Sequence, residues 1–478
     1  MQNDPRRHTR ILATLGPATD DPDALMALLR AGVDAVRINY SHGTQDDQAR
    51  RIAQVREAAA ELQRDIGILA DLQGPKIRVE RFRDGPVTLE RGARFVLDTA
   101  HPADAGDVTI VGCAYRELPD DVAPGDALLL NDGAIRLTVT RVDGTRIETE
   151  VVIGGVLSDR KGINKAGGGL SAAALTDKDL ADLAHAAALE VDFVAVSFPR
   201  NGEDMREARK LLDAAGSHAA LVAKIERAEA LLALDSIIEA SDALMIARGD
   251  LGVEIGDAEL PGWQKRITRA AREDNRMVIT ATQMMESMIT SPIPTRAEVL
   301  DVANAVMDGT DAVMLSAETA AGKHPARVVE AMARVCRGAE AAMPEPRNRE
   351  RMSRHFVRTD EAIAMATIWT AQHMNAQAIV ALTESGATAL MMSRSDTGIP
   401  IFALTQHEAT RRRMTLCRGV YPLAFTPTDL ESIKPAQEAV DMLKALGSLR
   451  AGDRALITKG DFDGPGGTNT MKIVSVED

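Results

Sequence analysis

The chain has 478 residues, 45% apolar and only 3% aromatic, with 56 basic against 70 acidic side chains and a formal net charge of −14. That length exceeds a single hydrophobic core and implies about two to four domains, while the acidic balance argues against nucleic acid as a main partner but not against a local cationic cleft. Three separated cysteines, Cys113, Cys336 and Cys417, make neither a disulfide framework nor a zinc site. They fit a reducing compartment, and with no apolar leader or membrane-length apolar run a cytoplasmic protein without membrane contact is expected.

Short apolar runs recur along the chain, each followed by a helical pattern: RILATLGP, DAVRINYSH, GILADLQGP, DFVAVSFPR, LVAKIER, ALMIARGD, MVITATQM and DAVMLSAET. Segments such as DPDALMALLRAG, TDKDLADLAHAAALE and NGEDMREARKLLDAAG carry helical spacing, with Asp, Thr or Asn at the start and often Gly at the end. Serial βα units with near-continuous apolar strands favour a closed parallel barrel over a doubly wound sheet. The series breaks after GILADLQGP. VTLERGARFVLD, DALLLNDGAIRLTVTRVDG and RIETEVVIGG alternate apolar with polar residues and are split by Gly and Asp-Gly turns, which reads as an antiparallel β insertion. After MPEPRNRERMSR a further α/β unit follows, with strands AIVALT, PIFALT, GVYPLAF, RALITKG and MKIVSVE. The expected architecture is α/β: a (β/α)8 barrel (residues 1–73 and 172–345), an inserted antiparallel β-barrel lid (74–171) and a C-terminal α/β domain (346–478).

Catalytic residues of such barrels lie at the C-terminal ends of the strands, and here those ends are polar. Strand two ends in Arg37, Asn39, Ser41 and His42, strand three in Asp71, and strand five carries Lys224 and Glu226 two positions apart, hence on one face. Strand six runs into Ala247-Arg248-Gly249-Asp250, strand seven into Thr280 and Thr282, and strand eight into Ser316 and Glu318. A single charge at a strand end is commonly a solvated rim residue, and Lys224 with Glu226 alone could be a structural ion pair. Six polar ends on one rim are harder to explain that way, because unpaired buried charge is costly. Two carboxylates on adjacent strands suit Mg²⁺, which takes one or two protein carboxylates together with water and substrate oxygens. The Gly249–Gly252 turn can hold an anion at a helix start, and Lys224, Arg37 and Arg78 supply positive charge for a phosphoryl group. These residues point to a metal-dependent site for a phosphorylated carboxylic acid.

RILATLGPAT, RINYSHGT, ADLQGPKIR, AKIERAEA, MIARGDLGVEI, TATQMMESM and PTRAEVLDVANAVMDGTDAVMLSAETAAGKHP, in that order, resemble the signatures of pyruvate kinases of the bacterial type with the DLQGPKIR segment. The resemblance implies Mg²⁺-dependent transfer of a phosphoryl group from phosphoenolpyruvate to ADP, giving pyruvate and ATP, with Mn²⁺ able to substitute. By the same resemblance Glu226 and Asp250 hold the metal, and Lys224 faces the phosphoryl group and enolate. Gly249, Asp250 and Thr282 receive the substrate carboxylate, and Thr282 with water delivers the proton. Arg37 and Arg78 flank the phosphoryl path, while Asn39, His42, Arg78 and Lys161 meet the nucleotide. Asn39, Ser41, Asp71 and the Leu72 carbonyl match a monovalent-cation site. Potassium-dependent relatives carry Glu where this chain has Lys76, so the Lys76 ammonium is expected to serve that site and K⁺ not to be required. Thr383, Ser385, Gly386 and Thr388 match an effector loop. Glu384 there disfavours a bisphosphate, leaving a sugar monophosphate or AMP, and relatives are homotetramers. Two rivals remain: a Mg²⁺-dependent lyase or aldolase acting on a pyruvate enolate, and a non-catalytic metabolite sensor.

Overall fold

The computed structural model describes residues 6–343, 355–427, 434–460 and 466–477. Eight strands close into a parallel barrel: β1 (Arg10–Thr14), β2 (Ala35–Asn39), β3 (Gly67–Asp71), β4 (Phe193–Val196), β5 (Ala220–Ile225), β6 (Ala243–Ala247), β7 (Met277–Ala281) and β8 (Ala312–Leu315). They are the eight runs read from the sequence. Most are buried along their whole length, because alternate residues serve two cores. Leu12, Leu69, Phe193, Val222, Met245 and Ile279 fill the barrel, whereas Ile11, Ile68, Leu221, Leu244 and Val278 pack under the helices. Three of the helices start where the sequence places a cap: Asp21 accepts from Ala24 N–H (3.0 Å), Thr176 from Asp179 N–H (3.2 Å), and Asn201 from Glu203 N–H (2.9 Å).

The insertion after β3 is a β-rich domain. Its six-stranded sheet runs Ile163–Lys165, Ala127–Leu130, Ile135–Asp143, Arg146–Ile153, Arg94–Asp98, Ile110–Gly112, with a two-stranded sheet of Val87–Leu89 and Gly155–Leu157. The pairs are antiparallel except Arg94–Asp98 with Ile110–Gly112, which run parallel. The root of the domain bridges the two edges of the larger sheet, Arg78 with Gly162 and Val79 with Cys113. The domain meets the barrel at Glu254. Its carbonyl accepts from Gly167 N–H (2.9 Å), and its carboxylate accepts from Ala228 N–H (2.9 Å) and Asn164 Nδ2 (3.4 Å).

The C-terminal unit is a five-stranded sheet in the order Val420–Ala424, Ile401–Thr405, Ala378–Leu382, Arg454–Gly460, Thr468–Ser475, the last strand antiparallel. The expected boundary at 345/346 lies outside the described residues. This unit sits against the N-terminal mouth of the barrel, where one motif repeats. An aspartate precedes each even strand and accepts from a backbone N–H of the preceding odd strand: Asp34 from Ile11 (2.8 Å), Asp192 from Ile68 (2.9 Å), Asp242 from Leu221 (2.8 Å) and Asp311 from Val278 (2.9 Å). Each also has an arginine. Asp34 and Asp242 use Arg7 (2.8 Å) and Arg209 (2.6 Å), but Asp192 and Asp311 take Arg412 (2.7 Å) and Arg394 (2.9 Å) from the C-terminal unit. Asp311 and Arg394 have no exposed side-chain surface.

Removing one partner of a buried pair strands the other charge. Asp311→Ala is therefore expected to destabilise the protein by about 3–5 kcal/mol, read as a shift of the urea unfolding midpoint; a shift worth under about 1 kcal/mol would contradict the role given to the pair. The Glu254 joint yields a pH prediction. Burial pushes its carboxyl from 4.5 up to about 7, against the opposing N–H of Ala228. A carboxyl raised by folding contributes stability fully present below its unfolded value of 4.5 and lost as pH rises through about 7. Glu254→Gln should remove that loss, so the melting temperature of the wild type falls relative to the variant from about pH 5 to 8. Parallel profiles would contradict it.

Candidate active site

The C-terminal ends of β3, β4 and β5 meet around one ammonium. Lys224 Nζ lies 3.2 Å from Asp71 Oδ1 and 3.1 Å from Glu226 Oε1, and donates to Ser197 Oγ at 2.6 Å. The two-residue spacing on β5 thus does place Lys224 and Glu226 in contact. Burial works against the charged ammonium, but Asp71 and Glu226 outweigh it and hold its pKa above the ordinary lysine value. Asp71 is shared: its Oδ2 accepts from Arg37 Nε at 2.6 Å, and Arg37 Nη1 reaches Thr14 Oγ1 at 3.2 Å. Burial alone would raise the Asp71 carboxyl, yet Lys224 and Arg37 depress it below the usual aspartate value. Glu226 spends its second oxygen on Phe198 N–H (2.9 Å), whose residue takes a left-handed φ of 57° at the end of β4.

Next along the rim, the helix Arg248–Ile255 begins straight after β6 at Ala247, which offers no side-chain cap. Thr282, after β7, supplies one. Its Oγ1 accepts from Gly249 N–H (3.0 Å) and donates to the Ala281 carbonyl (2.7 Å), with φ of 67° at Thr282. Gly249 N–H, expected to face a substrate carboxylate, is therefore engaged by Thr282 in this structure. Arg248 anchors the turn through Asp301 (2.7 Å) and the carbonyls of Ala281 (3.1 Å) and Thr282 (2.6 Å). Glu318 is structural: its buried carboxylate accepts from Met285 N–H (3.2 Å) and Ser316 N–H (2.6 Å).

Lys76 is not where the sequence suggested. Its Nζ lies 3.0 and 3.2 Å from the two oxygens of Asp250, not beside Asp71. Nearness in sequence to Asp71 misleads because the chain turns at Gly74 (φ 65°) and carries Lys76 across to the β6 side of the rim. Three of the four expected monovalent-cation ligands have partners within the protein. Asn39 Oδ1 accepts from Ser41 N–H (3.1 Å), the Leu72 carbonyl from Ser197 Oγ (2.7 Å), and Asp71 is held between Lys224 and Arg37.

The lid-side residues lie together at the domain root. Arg78 bridges Gly162 and donates to the Arg160 carbonyl (2.9 Å), and the Lys161 carbonyl accepts from Val79 N–H (2.9 Å), so Arg78 and Lys161 are neighbours. His42 is exposed on the loop after β2. A small cleft between lid and barrel is lined by Lys76, Asn164, Phe198, Arg227, Asp250 and Glu254. In the C-terminal unit the 383–388 turn is bonded within the unit. Thr383 Oγ1 accepts from Gly386 N–H (2.9 Å), Ser385 Oγ from Ala387 N–H (3.4 Å), and Thr388 meets Thr468 (2.6 Å). Gly386 has φ of 84°, and a Cβ there would lie 2.6 Å from Met414 Sδ, so the turn needs glycine whether or not it binds anything.

Sequence reasoning missed Ser197, Arg248 as an anchor, and Glu254. Ser197 had a signal, since it directly follows β4 and is itself a polar strand end. Glu254 had none, because its burial arises only where lid and barrel meet.

The pyruvate kinase barrel-domain model matches residues 6–329, and the pyruvate kinase alpha/beta-domain model matches residues 361–474. The chain is 54% identical over 476 residues to pyruvate kinase II of Salmonella typhimurium, covering 98% of this chain and 99% of that protein. It is 51% identical over 475 residues to a Haemophilus influenzae pyruvate kinase, covering 98% and 99%. The crystal structure of a Cryptosporidium parvum pyruvate kinase superposes with a TM-score of 0.93 at 33% identity, over 99% of this chain and 97% of that one. With its parallel barrel, β insertion, C-terminal α/β unit and a charged rim around Lys224, this chain belongs to the pyruvate kinase family.

Proposed function

We propose how this rim performs the family's reaction, transfer of the phosphoryl group of phosphoenolpyruvate to ADP with release of pyruvate and ATP. The observation that carries the assignment is the Lys224 ammonium, buried and held by Asp71, Glu226 and Ser197 together. Its raised pKa suits a fixed cation and not a base. As the bond from phosphorus to the enol oxygen breaks and the bond to the ADP oxygen forms, negative charge grows on the enolate, and a cation already in place needs no reorganisation. Arg37 and Arg78 are assigned to the phosphoryl oxygens, and Asn39, His42, Arg78 and Lys161 to the nucleotide. Thr282, with the backbone of Gly249 and Asp250, is assigned to the substrate carboxylate. The Thr282 hydroxyl donates its hydrogen bond to the Ala281 carbonyl, so protonation of the enolate carbon is assigned to a water relay through this hydroxyl. The lid excludes water, the competing phosphoryl acceptor.

Pyruvate kinases generally use a divalent metal, and Glu226 with Asp250 fits Mg²⁺, or Mn²⁺ in its place. Burial, only partly offset by Lys224, pushes the Glu226 carboxyl above its ordinary value, with Asp250 and Asp71 adding to the rise, so Glu226 and Asp250 lie close enough to feel each other's charge. Among the described residues no group of three or more His, Cys, Asp or Glu forms a metal cage, which matches a hard cation completed by water and substrate oxygens. When bound, the ion supplies Lewis-acid neutralisation of enolate and phosphoryl oxygens. The aldolase and sensor alternatives are not favoured, given relatives matched over nearly the whole chain.

The finer assignments are also part of this reading. The three units run 1–73 with 172–345, 74–171 and 346–478; the Thr383–Thr388 turn takes a sugar monophosphate or AMP; the enzyme works in the cytoplasm as a homotetramer. Among the described residues no helix is long and apolar enough to cross a membrane. K⁺ is not required: Lys76, paired with Asp250 at the lid root and not seated among Asn39, Ser41, Asp71 and Leu72, brings the extra positive charge to the rim.

Lys224→Met is expected to lower turnover by about 10²-fold or more with an unchanged circular dichroism spectrum; turnover within a few-fold of wild type would remove Lys224 from the mechanism. The wild type should reach full rate with Mg²⁺ in K⁺-free buffer, and Lys76→Glu should create a K⁺ requirement. A wild-type enzyme nearly inactive until K⁺ is added would contradict this.

A further inference from the structure

The rim balances its charges without a metal ion, and the two ammoniums that do so are held very differently. Lys224 is the counterion of Glu226, 11% exposed and fixed by three acceptors, two of them from the ends of β3 and β4. Lys76 is the counterion of Asp250, straddling both carboxylate oxygens at 3.0 and 3.2 Å. It is 25% exposed, it comes from the root of the lid, and Asp250 is the only acid its ammonium contacts among the described residues. The lid leaves room for it: a Cβ on Gly162 would come within 3.3 Å of Lys76 Cε. Gly162 is also the residue that Arg78 bridges to hold the lid root together.

We propose that the Lys76 ammonium is an internal competitor for the divalent-cation position at Asp250, displaced from the carboxylate when the ion binds and captured by the anionic substrate. This rests on the assignment of Glu226 and Asp250 as metal ligands. A dication placed on Asp250 beside an unmoved ammonium would face like-charge repulsion at a few ångströms. Lys224 cannot yield, because leaving would strand the buried Glu226 and leave Asp71 with Arg37 alone. Lys76 can, since its four-carbon stem swings while its backbone stays on the lid root. The freed ammonium then faces the cleft where a phosphorylated acid brings negative charge. Metal and substrate thereby become coupled ligands: the ion binds weakly alone, and the substrate tightens it by giving Lys76 another partner. The same exchange breaks the ion pair that ties the lid root to the helix Arg248–Ile255, linking metal occupancy to lid position.

The test is equilibrium Mn²⁺ binding, followed by the electron paramagnetic resonance of free Mn²⁺, without nucleotide and with or without phosphoenolpyruvate. Wild type, Lys76→Met, Lys76→Arg and Asp250→Asn are compared, with melting temperatures as a folding control. Without substrate, Lys76→Met should bind Mn²⁺ about tenfold more tightly than wild type, while Lys76→Arg, which keeps the charge, should stay near wild type. Phosphoenolpyruvate should tighten Mn²⁺ strongly in wild type and much less in Lys76→Met. Unchanged or weaker Mn²⁺ binding in Lys76→Met, with Asp250→Asn still losing affinity, would overturn this proposal and leave the metal assignment standing. Asp250→Asn binding Mn²⁺ as wild type does would overturn the metal assignment itself, and this proposal with it.

Discussion

A buried ammonium governs the rest of the structure. Lys224 is surrounded by strands, and its charge survives burial only because Asp71 and Glu226 face it from β3 and from the end of β5. Each carboxylate then imposes its own demand. Asp71 needs Arg37, which in turn is steadied by Thr14 on β1. Glu226 needs the Phe198 N–H, available because that residue adopts a left-handed conformation. Ser197 closes the set by accepting a hydrogen bond from Lys224 and donating one to the Leu72 carbonyl. Strands β1 to β5 are thus joined at their upper ends by one polar network, and no member could be removed without leaving a buried charge short of a partner. A site built this way is rigid where charge must be in place before reaction. A less buried cation, Lys76, lies at the edge where the lid begins.

The opposite end of the barrel solves a different problem with similar chemistry. Asp34, Asp192, Asp242 and Asp311 each tie an even strand to its odd predecessor, and arginines neutralise them. Two of those arginines, Arg394 and Arg412, belong to the C-terminal unit, so that unit completes the barrel floor. Close packing reinforces the contact: a Cβ on Gly67 would lie 2.6 Å from Thr415 Oγ1. Ion pairs at the lower end are thus spent on cohesion, and those at the upper end on holding charge ready for substrate, the division of labour expected of such barrels.

Much of this was legible from the residues. Period and turn chemistry gave all eight barrel strands and the five C-terminal ones, because each is a short apolar run and many are bounded by Gly, Asp or Pro. The spacing of Lys224 and Glu226 foretold their contact because strand geometry fixes which side chains share a face. What failed to show were relations across the chain. Lys76 reads as a neighbour of Asp71 until the Gly74 turn carries it to Asp250, 174 residues away. Glu254 looks like any helix acid until Asn164 and Ala228 close over it. The four floor aspartates recur in VDAV, VDFV, SDAL and TDAV, a repeat that acquires meaning only once adjacent strands are known to be hydrogen-bonded.

The central claim is that Lys224 stands permanently charged between two carboxylates. Its most direct test is a titration of the Lys224 Nζ resonance in ¹⁵N-lysine-labelled enzyme, assigned by comparison with Lys224→Arg. The account predicts a midpoint above the ordinary lysine value of 10.5, falling when Asp71 is changed to Asn. A midpoint below 10.5 in the wild type would mean that burial, not the carboxylates, sets the state of this amine, and would contradict the account.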